Sequence, residues 1–198
     1  MTEITVDDLC SLIEENCYVK KCTPNKKKDE NSFSYLVDKD LSQSECIKLG
    51  IGLESVFQDI ILKNTKLLNI KPKDKKNKKQ RDHLFLDKKN KKIYYSELKA
   101  NIHLDTEKSK STYLKCLFIF EELKKEFPEH EIIWTLLGYR YINNEEIPSF
   151  IKNKYLSVKD NLVGINEYFQ ILGINITFTK ETYRKFINKT AELMFNNS

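Results

Sequence analysis

Residues 81–101 read RDHLFLDKKNKKIYYSELKAN. A short apolar run, 83–86, precedes the polar segment DKKNKK and a longer run at 92–102, KIYYSELKANI. Short runs of this kind, bounded by turn residues, predict a β-hairpin. Within the second strand Ile93, Tyr95, Glu97 and Lys99 share one face by the two-residue period. Charged residues on a strand suited to burial must meet water, a ligand or each other. Asp82 stands just before the first strand, where it can approach the Glu97 end.

Two carboxylates held close repel, and one pKa rises unless a cation sits between them. A hard divalent ion with oxygen ligands, Mg²⁺ above all, resolves that conflict. Lys99 faces the same place one pleat further on, where it can orient a water or stabilise charge on a phosphoryl oxygen. The Glu-x-Lys spacing is uninformative by itself, since Glu122-Lys124 repeats it on the back of a predicted helix. The strand setting singles out the first pair. Asp87, at the far end of the same strand, is the rival aspartate, but it opens a lysine-rich turn where Asp is structurally expected.

Outward from the hairpin the pattern alternates between helix and strand. TVDDLCSLIEENCYVK at 5–20 reads as a short amphipathic helix and 23–32 as a loop. At 42–68 Ile47, Ile51, Val56, Ile60 and Ile61 fall at helical spacing, with Gly50 and Gly52 marking either an interruption or a close approach. Residues 71–81 form a basic loop. A strong helix is predicted at 105–127, capped by Asp105 or Thr106, with Leu114, Leu117, Phe118, Phe120 and Leu123 on its apolar side. A buried strand follows at 131–139, containing Trp134. Beyond a mixed segment, 140–163, come a short helix at 164–172, an edge-type strand at 174–179 and a terminal amphipathic helix at 180–195. The order is that of an α/β protein built around one sheet.

The 198 residues fit a single domain with a sizeable core. The formal net charge of +5 is unevenly placed. Residues 71–92 hold eleven Lys or Arg against three Asp, a local charge of +8, so the rest of the chain carries −3. Such a concentrated basic stretch points to a polyanionic partner, nucleic acid first, or to a solvated loop. The five cysteines, at 10, 17, 22, 46 and 116, form no CxxC pair, and His83, His103 and His130 lack metal-site spacing to a cysteine pair. Free thiols in a reducing cytoplasm fit this set better than disulfides or structural zinc. The acidic start MTEITVDDLC lacks a signal-peptide layout and no apolar run is long enough to span a bilayer, so a soluble cytoplasmic protein is expected.

Asp82, fourteen intervening residues, then Glu97-Leu98-Lys99 resembles the core motif of the PD-(D/E)xK nuclease superfamily, particularly the small type II restriction endonucleases. The order of elements over 45–138 is similar to the family core, and Glu54 matches an auxiliary acidic position in the preceding helix. Residue 81 departs from the pattern, being Arg rather than Pro. The resemblance implies a restriction-endonuclease-like core, a central mixed β-sheet flanked by helices. It further implies Mg²⁺ held by Asp82, Glu97 and the Leu98 carbonyl, with Lys99 positioning the attacking water and Glu54 assisting. The expected activity is sequence-specific hydrolysis of double-stranded DNA leaving 5′-phosphates, by a homodimer whose host carries a partner methyltransferase. In this scheme 1–44 is an accessory helix and loop, 45–138 the catalytic core, and 139–198 carries recognition or dimerisation elements.

Lys108, Ser109, Lys110 and Ser111, opening the helix after the active strand, are candidates for a flanking DNA phosphate. Arg140, Asn143, Asn144, Lys152 and Asn153 have the side-chain chemistry for reading base edges. His83 and His103 read as packing or strand-edge residues rather than catalysts. Two rival readings stand beside this one: a repair or mobile-element nuclease of the same superfamily, and a non-catalytic DNA-binding protein.

Overall fold

The computed structural model describes residues 5, 7–8, 33, 36–38, 41–72, 81–102 and 106–195. Apart from Thr5, Asp7 and Asp8, the readings at 5–20 and 23–32 lie outside the described residues. So do Cys10, Cys17 and Cys22, most of the basic loop, His103 and Asp105.

Helix α1, Gln43–Asn64, starts at a capping box: Ser42 accepts from the Glu45 N–H, and the Glu45 carboxylate accepts from the Ser42 N–H at 2.7 Å. Glycines 50 and 52 do not interrupt it. Gly52 instead marks a close approach, since a Cβ there would lie 2.7 Å from Met194 Sδ. Ile47 and Ile51 do not share the buried stripe, which runs through Leu49, Leu53, Val56, Phe57, Ile60 and Ile61. The predicted apolar face was rotated because the helix carries more apolar residues than one stripe needs.

Strands β1 (Leu68–Asn69), β2 (His83–Asp87), β3 (Lys92–Lys99), β4 (Glu131–Gly138) and β5 (Leu162–Val163) form a mixed sheet in chain order. β1 pairs antiparallel with β2 and β2 with β3, whereas β3, β4 and β5 run parallel. The hairpin is as the sequence predicts, and helix α2, Thr106–Glu126, is the crossover that a parallel β3–β4 pair requires. Short helices α3 (Ser149–Lys154) and α4 (Ile165–Ile171) and the terminal α5 (Lys180–Phe195) follow, with 3-10 turns at Asn144–Glu146 and Leu156–Asn161.

Alternation along the strands feeds two cores. On one face Phe85, Leu98 and Leu137 pack with α1, α4 and α5, around Phe57, Phe169 and Phe186. On the other, Leu84, Ile93, Tyr95, Trp134 and Leu136 pack with Cys116, Ile119 and Leu123 of α2 and Ile151 of α3. Here too one predicted face needs correction. Leu123 is buried as expected, but Leu114 and Phe118 are about half exposed, and Cys116 and Ile119 take the inward positions.

The edge-type strand predicted at 174–179 does not form. Its alternation is real, with Ile174, Ile176 and Phe178 buried. The backbone partner, however, is a side chain: Asn166 accepts from the Phe178 N–H at 2.7 Å and donates to the Phe178 carbonyl at 3.0 Å. A side-chain amide that offers both bonds replaces the strand a ladder would need.

Candidate functional site

The hairpin register places His83 opposite Ser96, so Asp82 comes beside Glu97 at the open end of β2–β3. Asp82 Oδ2 accepts from the Leu98 N–H at 2.8 Å. Burial pushes the Asp82 carboxyl up to about 6, and the charges of Glu97 and Glu54 push the same way; the Leu98 N–H and Lys99 oppose them.

Glu97 lies on the β3 face turned to α2 and is fully buried. Its Oε1 accepts from Lys99 Nζ at 2.7 Å and from Lys115 Nζ at 2.8 Å. Its Oε2 accepts from Lys115 Nζ at 2.7 Å and from the Tyr95 hydroxyl at 3.2 Å. Burial disfavours the Lys99 charge, yet Glu97 and Asp82 outweigh it and raise the Lys99 pKa. Glu54, from α1, pairs with Lys71 Nζ at 2.5 Å, and Lys71 also donates to the Asp82 carbonyl at 2.9 Å. Asp82, Glu97, Lys99 and Glu54 are thus brought together from α1, β3 and the residue just before β2, with the Leu98 backbone among them.

His83 is buried beneath the cluster. Its Nε2 lies 2.8 Å from the Glu54 carbonyl and its Nδ1 lies 2.5 Å from the Tyr168 hydroxyl. Burial pulls its pKa down to about 4, so the ring is neutral near pH 7. A carbonyl only accepts, so Nε2 carries the proton and Nδ1 accepts from Tyr168. The imidazole therefore ties α1 and α4 to β2, the packing role expected of it. Cys116, beside Tyr95 on the same face, is pushed up to about 12 by burial and stays a thiol.

The remaining sequence candidates scatter around this centre. Lys108, Lys110 and Ser111 are exposed along the start of α2. Ser109 is not available to a phosphate, because the helix turns it fully inward toward Tyr155. Asn143 accepts from Asn166 at 2.7 Å and Asn144 accepts from the Gly164 N–H at 2.8 Å, so both amides brace the entry to α4. Arg140 and Lys152 are half-buried and Asn153 is exposed. Asp87, the rival aspartate, accepts from the Asn90 N–H in the hairpin turn, as its position predicts. Arg81, before Asp82, is buried and faces Glu126 at 3.5 Å.

Sequence reasoning missed Lys115, Lys71 as the partner of Glu54, and the Tyr95 and Tyr168 hydroxyls. The one readable trace of Lys115 is its place beside Cys116, on the border of a buried stripe.

Among the described residues no three His, Cys, Asp or Glu side chains converge as a closed metal-holding group. The donor set nonetheless fits a magnesium ion, which typically takes one or two carboxylates and completes its shell with water and substrate phosphate. The half-buried Asp82 and the fully buried Glu97 are two carboxylates that could supply such a partial shell. Compared with known proteins, the chain matches no family model, no curated protein and no solved structure. Among the described residues no helix is long and apolar enough to cross a membrane.

Proposed function

We propose that this protein is a Mg²⁺-dependent deoxyribonuclease of the PD-(D/E)xK kind, acting on double-stranded DNA as a type II restriction endonuclease. The observation that carries the reading is the buried Glu97 carboxylate, which shares the open end of the hairpin with Asp82, Lys99 and Glu54. The order of a helix carrying Glu54, a hairpin carrying Glu97 and Lys99, a crossover helix and a parallel strand supports the reading.

Asp82 and Glu97, with the Leu98 backbone carbonyl, would hold the ion, and Glu54 would support it from α1. A bound Mg²⁺ supplies charge neutralisation at phosphoryl oxygens and lowers the pKa of a water. Lys99 keeps its proton, orients the attacking water and offsets the charge that builds on the phosphate. The water oxygen bonds to phosphorus as the bond to the 3′ oxygen breaks; the attacking water gives up a proton to solvent and the departing 3′ oxygen takes one from it, leaving a 5′-phosphate and a 3′-hydroxyl. His83, neutral and held at both nitrogens, takes no part in proton transfer. Lys108, Lys110 and Ser111 are proposed to meet a neighbouring DNA phosphate, and the 139–161 segment to read bases. A short palindromic target calls for two copies related by a two-fold axis, and a host would need a methyltransferase of matching specificity.

Incubation with long unmethylated duplex DNA, in Mg²⁺ or in EDTA, tests the reading. Discrete Mg²⁺-dependent fragments that ligate through 5′-phosphates are expected, and none with Glu97→Ala. A smear would point to a nuclease guided by DNA structure. Intact DNA despite tight binding would point to a non-catalytic binding protein.

A further inference from the structure

An ionised carboxylate offers about four acceptor positions, two on each oxygen. In Glu97 all four are taken: Lys99 and Lys115 on Oε1, Lys115 and Tyr95 on Oε2. Lys115 alone spans both oxygens, at 2.8 and 2.7 Å, where a cation clasped by the carboxylate would sit. The three donors differ in their freedom to leave. Tyr95 is fully buried, and Lys99, 34% exposed, sits two residues from Glu97 on the same strand, whereas Lys115, 30% exposed, reaches in from a separate element, α2. Around it three carboxylates, Glu54, Asp82 and Glu97, are interleaved with three ammonium groups, Lys71, Lys99 and Lys115. The cluster is neutral as the chain itself builds it.

We propose that Lys115 is a built-in counter-ion, holding the cation position on Glu97 and displaced when a divalent ion binds. This rests on the reading that Asp82 and Glu97 take such an ion. Lys115 and the ion then compete for the same two oxygens, and the affinity for the ion is set partly by the cost of ejecting the ammonium group. A scaffolding Lys115 would behave oppositely, since its loss would disorder Glu97 and weaken binding. The sign of the effect therefore separates the two roles.

The test is Mn²⁺ affinity in the full chain without DNA, read from water-proton relaxation. The set is the unaltered protein, Lys115→Met, Lys115→Gln, Glu97→Gln and Lys110→Met, the last removing an exposed charge from the same helix. Both Lys115 variants are expected to bind Mn²⁺ about tenfold or more tighter than Lys110→Met, and Glu97→Gln to lose binding. Equal or weaker affinity in the Lys115 variants, with binding still lost in Glu97→Gln, overturns the counter-ion role and leaves the cation site standing. Binding that survives Glu97→Gln, or is absent throughout, overturns the site reading itself. The unaltered chain offers a check that needs no variant. The Lys115 ammonium resonance, held by Glu97 in EDTA, should shift and exchange faster on saturation with Mg²⁺; an unchanged signal overturns the proposal.

Discussion

At the turn end of the β2–β3 hairpin, Asp87 accepts from the side chain and N–H of Asn90, and these bonds hold its carboxyl below the usual range. At the open end, five residues earlier, burial and the neighbouring Glu97 push Asp82 up to about 6. The lysine pairs divide in the same way. Lys91–Glu129 and Lys92–Glu131 lie at the turn end at 3.3 and 3.1 Å, solvated, whereas Lys99 and Lys115 close on a Glu97 with no exposed surface. Residue types alone do not separate the two ends. Burial does, because a charge removed from water needs a partner, and at the open end the chain supplies Glu97 with Lys99 and Lys115.

The largest contrast should appear in catalysis. Glu97→Ala and Lys99→Met are each expected to slow Mg²⁺-dependent DNA cleavage about a thousandfold or more. Glu131→Ala and Lys92→Met break the counterpart pair at the turn end and should leave the rate within about twofold, since exposed pairs contribute little. Matched losses at both ends would break the comparison.

Stability should diverge next, with opposite signs. The folded pKa of Asp82 is raised, so its favourable contribution is complete below its unfolded value of about 3.9 and is lost as pH rises through about 6. Asp82→Asn is therefore expected to stabilise the fold at pH 7, by up to about 3 kcal/mol in denaturant titrations. The neighbouring His83 works the other way, since its folded pKa lies near 4. Its contribution is present above about 6.5 and is lost as pH falls. Asp82→Asn should thus also steepen the loss of stability between pH 6.5 and 4, which repeating the titrations across that range would show.

Smaller again is the expected effect of Tyr168→Phe, which leaves the buried His83 Nδ1 without its donor. A loss of about 1–3 kcal/mol is expected, visible as a lower denaturation midpoint. At the bottom of the scale, Lys91→Ala should change stability by less than about 1 kcal/mol, and the change should fade in high salt.

How far the sequence foretold this depends on the range of the interaction. The hairpin was legible because turn residues separate two short apolar runs and the two-residue period fixes which side chains share a face. That same period placed Glu97 and Lys99 together, and the approach of Asp82 followed from antiparallel pairing. The inward faces of α1 and α2 were less legible: Ile47, Ile51, Leu114 and Phe118 satisfy a helical period as well as the residues that are buried. Two-residue strands such as β1 and β5 carry no period at all. Lys115 was invisible for a different reason. It meets Glu97 across 18 residues and from another element, a contact set by how α2 lies on the sheet. The amides of Asn143 and Asn144 likewise acquire their roles from α4, not from their own loop.

The most direct test compares Asp82, just before β2, with Asp87, at its far end. Single-turnover cleavage of the same duplex in Mg²⁺ would be measured for the unaltered protein, Asp82→Asn and Asp87→Asn. Loss of cleavage by about a thousandfold in a folded Asp82→Asn, with Asp87→Asn near the unaltered rate, is the expected result. Equal rates in all three proteins, or loss in Asp87→Asn alone, would contradict an active centre at the open end of the hairpin.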